Sequence, residues 1–120
     1  MKRMKVVPAI VAVAAVALVP ATQARQQATV LKGVVGPGFT ITLRKTSGAK
    51  VTTLPHGVYK IMLSDKSSIH NFHLKGPRVN KATGVAASGS ATWALTLRAG
   101  RYTYVCDPHA SSMKGSFRVT

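Results

Sequence analysis

From residue 29 onward the chain runs in short segments of alternating apolar and polar positions, divided by Gly, Pro and Ser. The run FTITLR, residues 39–44, sets Phe39, Ile41 and Leu43 on one side and Thr40, Thr42 and Arg44 on the other. That is the two-residue period of a strand with one buried face. The same reading predicts strands over 29–35 (TVLKGVV), 51–54 (VTTL), 58–63 (VYKIML), 69–74 (IHNFHL), 92–97 (TWALTL), 101–106 (RYTYVC) and 115–119 (GSFRV). Segment 58–63 has the fullest apolar content and is expected in the middle of a sheet, with Met62 as a core filler. Turn signals divide the runs, among them Gly36-Pro37-Gly38 and Pro55-His56-Gly57. Residues 75–91 are small, turn-rich and weakly periodic, and read as a long excursion with at most one weak strand. No helix-period stretch occurs after residue 25. Seven or eight short strands spaced by roughly ten residues predict an all-β fold, an antiparallel Greek-key β-sandwich. An isolated Greek-key barrel is the near alternative.

Residues 1–24 follow another rule. Lys2, Arg3 and Lys5 precede an apolar stretch from Val6 to Val19, and Thr22 and Ala24 put small residues where a signal peptidase reads. This predicts a secretory signal over 1–24, cleaved after Ala24, and a single domain over 25–120. The alternative is a retained anchor. The apolar stretch is shorter than the roughly 20 residues that span a bilayer, and Pro8 and Pro20 bracket it. The expected location is outside the cytoplasm, in the periplasm or the extracellular cell envelope.

Charge changes the picture next. The chain holds 17 Lys plus Arg against two acids, Asp65 and Asp107. Three cations belong to the leader, so 14 remain and residues 25–120 carry about +12. Such a surface attracts acidic proteins, anionic membranes or anionic polymers. It predicts no specific nucleic-acid partner, and the chain is expected to be monomeric. Two acids far apart in sequence offer no general base, and no Gly-rich phosphate loop is present, so no enzyme activity is expected. Cys106 is the only cysteine, which excludes an internal disulfide. A lone thiol in an oxidising compartment calls for protection by burial or by a metal.

Cys106, His109 and Met113 fall within eight residues, in the segment between the last two predicted strands. A histidine in a loop is ordinarily a surface residue, but thiolate, imidazole and thioether together form a soft ligand set. Such a set suits copper, whose electron-transfer sites use a trigonal plane of two His and one Cys with a weak axial Met. The second imidazole must come from elsewhere. On the strand predicted over 69–74, His70 shares its face with Phe72 and Leu74, whereas His73 shares the opposite face with Asn71. The inward residue, His70, is the expected ligand. A core-edge histidine bonded to backbone would show the same pattern.

Residues 104–119, YVCDPHASSMKGSFRV, closely resemble the ligand loop and last strand of small cupredoxins, the plastocyanin and amicyanin group of blue-copper proteins. Cys106, His109, Met113 and Gly115 fit the pattern Cys-x-x-His, a short spacer, Met, then x-Gly. His70-Asn71 resembles the upstream half, where a His followed by Asn supplies the remaining nitrogen. The resemblance implies one type 1 copper ion, held in plane by His70, Cys106 and His109 and axially by Met113. It implies that Asn71 ties the two ligand segments together. Electron exchange would pass through the exposed edge of His109, within an apolar patch drawn from Gly36, Pro37, Phe39, Pro108 and Ala110.

Three features depart from the family. The His109–Met113 spacer is shorter than in plastocyanin and longer than in amicyanin. Asp107 stands where a small neutral polar residue is commoner, and would tend to lower the copper potential unless turned to solvent or paired with a basic neighbour. The surface is basic, unlike the acidic patch of plant plastocyanins. The expectation is an exported one-electron carrier with a redox protein partner that has an acidic docking surface. The rival readings are a copper-binding or delivery protein without a redox partner, and a cupredoxin-like basic module that binds anionic surfaces.

Overall fold

The computed structural model describes residues 2–15 and 27–120. Residues 2–15 form no regular element and are exposed. The predicted cleavage point after Ala24 lies outside the described residues. Among them, no helix is long and apolar enough to cross a membrane.

The strands are β1 (Thr29–Val35), β2 (Ile41–Lys45), β3 (Thr53–Leu54), β4 (Gly57–Asp65), β5 (His73–Gly76), β6 (Val79–Ala82), β7 (Gly89–Leu97), β8 (Gly100–Val105) and β9 (Lys114–Val119). One sheet has the order β2-β1-β4-β7 and the other β3-β9-β8-β5-β6. Alternation decides which side chains face in. Tyr59, Ile61 and Leu63 of β4 meet Leu31 of β1 and Trp93 and Leu97 of β7 in the core. From the second sheet come Leu74, Tyr102, Tyr104, Phe117 and Val119. Aromatic rings fill much of the space between the sheets. Phe72 stacks on Tyr104 with centroids 5.5 Å apart, and Tyr102 on Phe117 at 5.3 Å. Gly115 makes room for this packing, since a Cβ there would run into the Tyr104 ring. Burial pushes the Tyr104 hydroxyl pKa up, because the phenolate would be poorly solvated.

The all-β sandwich agrees with the pattern, and several details differ. Strand pairing is not purely antiparallel: β1 runs parallel to β4, and β3 parallel to β9. Alternation fixes facing but carries no information about strand direction. Nine strands form, because the excursion at 75–91 holds β6 and the start of β7. Met62 is not in the core. It is 44% exposed, on the outer side of β4 with Val58 and Lys60.

The expected strand over 69–74 is mostly irregular, since β5 begins only at His73. Side chains take over the backbone bonding there. The Phe72 N–H donates to Thr83 Oγ1 at 2.9 Å, and the Asn71 carboxamide Nδ2 donates to Thr83 O at 3.2 Å. Both His70 and Asn71 are therefore buried, which two-residue alternation does not allow. The outward placement expected for Asn71 is overturned, and the inward placement of His70 holds for a different reason.

Candidate metal centre

Three connections meet at one end of the sandwich: the turn between β1 and β2, the segment from β4 to β5, and the loop from β8 to β9. The third is tied at its base. The Cys106 N–H donates to Met113 O at 3.0 Å, continuing the β8–β9 ladder by one rung. A 3-10 turn, Asp107–His109, follows with Pro108 inside it. The His109 N–H bonds to Cys106 O at 3.0 Å, and the Met113 N–H to His109 O at 2.8 Å. These bonds fix the backbone that carries Cys106, His109 and Met113. The upstream segment is set by two side-chain turns: the Ser67 N–H donates to Asp65 Oδ1 at 3.0 Å and the Ile69 N–H to Ser67 Oγ at 3.2 Å. They steer the chain inward so that His70 arrives fully buried.

The donor atoms converge. His70 Nδ1 lies 3.1 Å from His109 Nδ1, and Cys106 Sγ lies 3.6 Å from each nitrogen. A point equidistant from the corners of that triangle lies about 2.0 Å from each, the length of an ordinary metal–imidazole bond. Cys106 and Met113 are buried together against Val35. His109 is only partly buried. Two imidazoles, one thiolate and a neighbouring thioether are the donor set that favours copper over harder ions. The residues fit the ion.

The surroundings hold the ligands in place. Asn71 Oδ1 accepts the Asp107 N–H at 2.7 Å, and its Nδ2 donates to Asp107 Oδ2 at 2.8 Å. The structure thus places Asn71 as the tie between the two ligand segments. The outward His73 is spent on Asp107, with Nδ1 donating to Oδ1 at 2.8 Å and to Oδ2 at 3.0 Å. His73 Nε2 faces the Asn80 carboxamide oxygen at 2.6 Å. Hydrogen bonding from Asn71 holds the Asp107 carboxyl below the usual range, helped by His73 and Lys75 and opposed by burial. Asp107 therefore has the basic neighbour that its position beside Cys106 requires. The alternation of residues 69–74 did not point to this pair. The one available signal was the lone acid of the loop facing an outward histidine.

Phe39, 63% exposed, sets its ring edge-on to both histidines, at 5.2 Å from His70 and 4.9 Å from His109. Pro37, Pro108 and Ala110 are also exposed on this group of loops. Gly36 has φ +69°, and a Cβ there would meet Ser67 Cβ at 3.0 Å and His70 Cδ2 at 3.3 Å. His56 takes no part, since its Nδ1 lies 2.9 Å from Thr120 O.

Residues 35–120 match the family described as copper binding proteins, plastocyanin/azurin family. The chain belongs to that family. In fold it is similar to reduced rusticyanin, with 21% identity, a TM-score of 0.58, and coverage of 76% of this chain and 78% of that one. Rusticyanin from Thiobacillus ferrooxidans gives 23% identity and a TM-score of 0.56, with 76% of each chain covered. A comparison with curated protein sequences finds no match. The plastocyanin/azurin assignment agrees with the donor set: His70, Cys106, His109 and Met113 are arranged as a type 1 copper site.

Proposed function

We propose that this cupredoxin is an exported one-electron carrier rather than an enzyme. One observation carries the reading: the His70, Cys106 and His109 donor atoms converge within 3.1–3.6 Å of one another, on two segments braced by hydrogen bonds. Copper, when bound, supplies exchange between its two common oxidation states. Everything else is the work of the chain. Residues from two segments hold the donors at set distances, so little reorganisation accompanies a change of charge. Burial of Cys106 and Met113 keeps water and oxidants from the sulfur atoms. Occupancy by a metal would also keep Cys106 as thiolate, consistent with a lone thiol in an exported protein. The part-buried edge of His109, bordered by Phe39, Pro37, Pro108 and Ala110, offers a partner a short approach through an apolar contact.

The test is spectroscopic and electrochemical. Addition of one equivalent of Cu(II) is expected to give an intense visible thiolate-to-copper band that Cys106→Ser abolishes, and the loaded protein should cycle reversibly. A colourless protein with a freely titratable thiol would sink the reading. The delivery alternative predicts a different result, ready loss of Cu(I) to an acceptor and slow self-exchange. The close donor set, held by hydrogen bonds between two segments, favours the carrier.

A further inference from the structure

The outer face of the five-stranded sheet carries Lys75 from β5, Arg101 from β8, and Lys114 and Arg118 from β9, all exposed. Lys50 joins them from the loop before β3. An open depression of about 510 Å³ lies on this face, lined by Lys50, Arg101, Lys114, Thr103, Ser116 and Val105 with Gly115 at its floor. Arg101 stands directly opposite Arg118 in the β8–β9 register. Like charges in that position weaken a sheet, and no salt bridge to either arginine is present among the described residues. Of the two acids in the chain, Asp65 is buried, and Asp107 bonds to Asn71 and His73 and interacts with Lys75 only at the loop end of the face.

The composition of the face selects among anionic partners. It presents cations and hydroxyls, with Val105 as its one apolar side chain along β8 and β9. Protein interfaces bury aromatic and apolar residues at their centre, and those lie instead at the ligand-loop end, around Phe39 and His109. A bilayer would be held by an inserted apolar anchor, and the face has none. A chain of regularly spaced anions needs only the row of cations and hydroxyls that the depression presents. We infer that the outer face of β5, β8 and β9 binds a linear polyphosphate, with Lys50, Arg101 and Lys114 as its principal contacts. Its site is distinct from the loops around His109, so polymer and redox partner can be held together. The inference stands apart from the copper reading, because none of its residues is a ligand.

The experiment titrates copper-loaded protein with linear inorganic polyphosphate at rising salt. Two triple variants lose the same charge: K50Q/R101Q/K114Q in the depression, and K32Q/K60Q/R98Q elsewhere. The first triple should lose at least about tenfold in affinity, and its salt slope should fall by about two, as expected when three phosphate contacts are removed. The control triple should lose less than about threefold. The visible band should survive in both, which separates this result from a failure of the copper site. If the first triple loses its fold, the single substitution K50E provides the same reading and should weaken binding. Equal losses in the two triples, no binding of the parent protein to polyphosphate, or binding confined to phosphatidylglycerol vesicles or to a globular acidic protein would each overturn the inference.

Discussion

The Asn71 carboxamide holds Asp107 at two points, accepting from its backbone N–H at 2.7 Å and donating to its carboxylate at 2.8 Å. One side chain thus joins the segment that carries His70 to the loop that carries Cys106. Asn71 is buried, and its carboxamide makes three hydrogen bonds, two to Asp107 and one to Thr83 O. Asn71→Ala is expected to cost about 2–3 kcal/mol, from three bonds worth about 1 kcal/mol net each. For a domain of this size that corresponds to a fall in Tm of about 10–20 °C. Calorimetry of the copper-free protein checks it. The band should also change in shape, because the two ligand segments lose their common brace.

Asp107 sets the behaviour in acid. Its carboxyl is held below its ordinary value, first by the Asn71 hydrogen bond and then by His73 and Lys75. A group with a lowered folded-state pKa binds its proton more weakly when folded than when unfolded. Its contribution is therefore fully present above the ordinary Asp value near 4 and is lost as pH falls through the lower folded value. Urea unfolding of the copper-free protein between about pH 5 and 2.5 should show the parent losing stability faster than Asp107→Asn. Parallel curves for the two proteins would contradict the proposed role.

The choice between two nearby histidines gives a sharp test. His70 Nδ1 points at Cys106 and His109, whereas both nitrogens of His73 face oxygen atoms of Asp107 and Asn80. His70→Ala should abolish the visible band and His73→Ala should keep it. The second variant should instead lower the reduction potential, because Asp107 loses its basic partner beside Cys106. Voltammetry on His73→Ala and on the double variant with Asp107→Asn separates the two causes, since the double variant should recover.

Gly36 is the one position where the turn between β1 and β2 cannot accept a side chain without disturbing a ligand. Its φ of +69° disfavours any L-residue, and an added Cβ would press on Ser67 and on the His70 ring. Gly36→Ala should cost at least about 1–2 kcal/mol from backbone conformation alone and should shift the band. Gly38→Ala is the control, since a Cβ there meets nothing within 4 Å. Equal effects from the two substitutions would mean that the turn, not the approach to His70, is what matters.

The sequence was most legible where one physical rule governs. Two-residue alternation marked β1, β2, β4, β8 and β9 to within a few residues, because each has one face in the core and one in water. The downstream ligands were legible because they share one short loop, and a compact soft donor set has few other uses. The rule failed where side chains replaced the backbone ladder. Asn71 and His70 are both buried because Thr83, eleven residues beyond Phe72, takes the Phe72 N–H through its hydroxyl. Nothing local in IHNFHL announces a partner that distant. The pairing of His73 with Asp107 depends on the same unseen geometry, as does the parallel run of β1 beside β4.

In the proposed carrier, Phe39 is the aromatic residue in contact with both histidine ligands. Its ring covers the edges of both imidazoles while remaining 63% exposed, so it shields the site and forms part of the surface a partner would touch. Edge-on aromatic contacts contribute about 0.5–1.5 kcal/mol each, so Phe39→Ala should lower stability modestly and keep the band. It should also admit water to the histidines. A wetter site stabilises the more highly charged oxidation state, so the reduction potential should fall. Phe39→Asp should preserve the band too, yet slow exchange with an apolar-faced partner by placing a charge in the contact. Voltammetry reads the first effect and stopped-flow mixing the second. If Phe39→Ala left the potential unmoved, the ring would be a contact surface only, and the shielding of His70 would rest on its own burial.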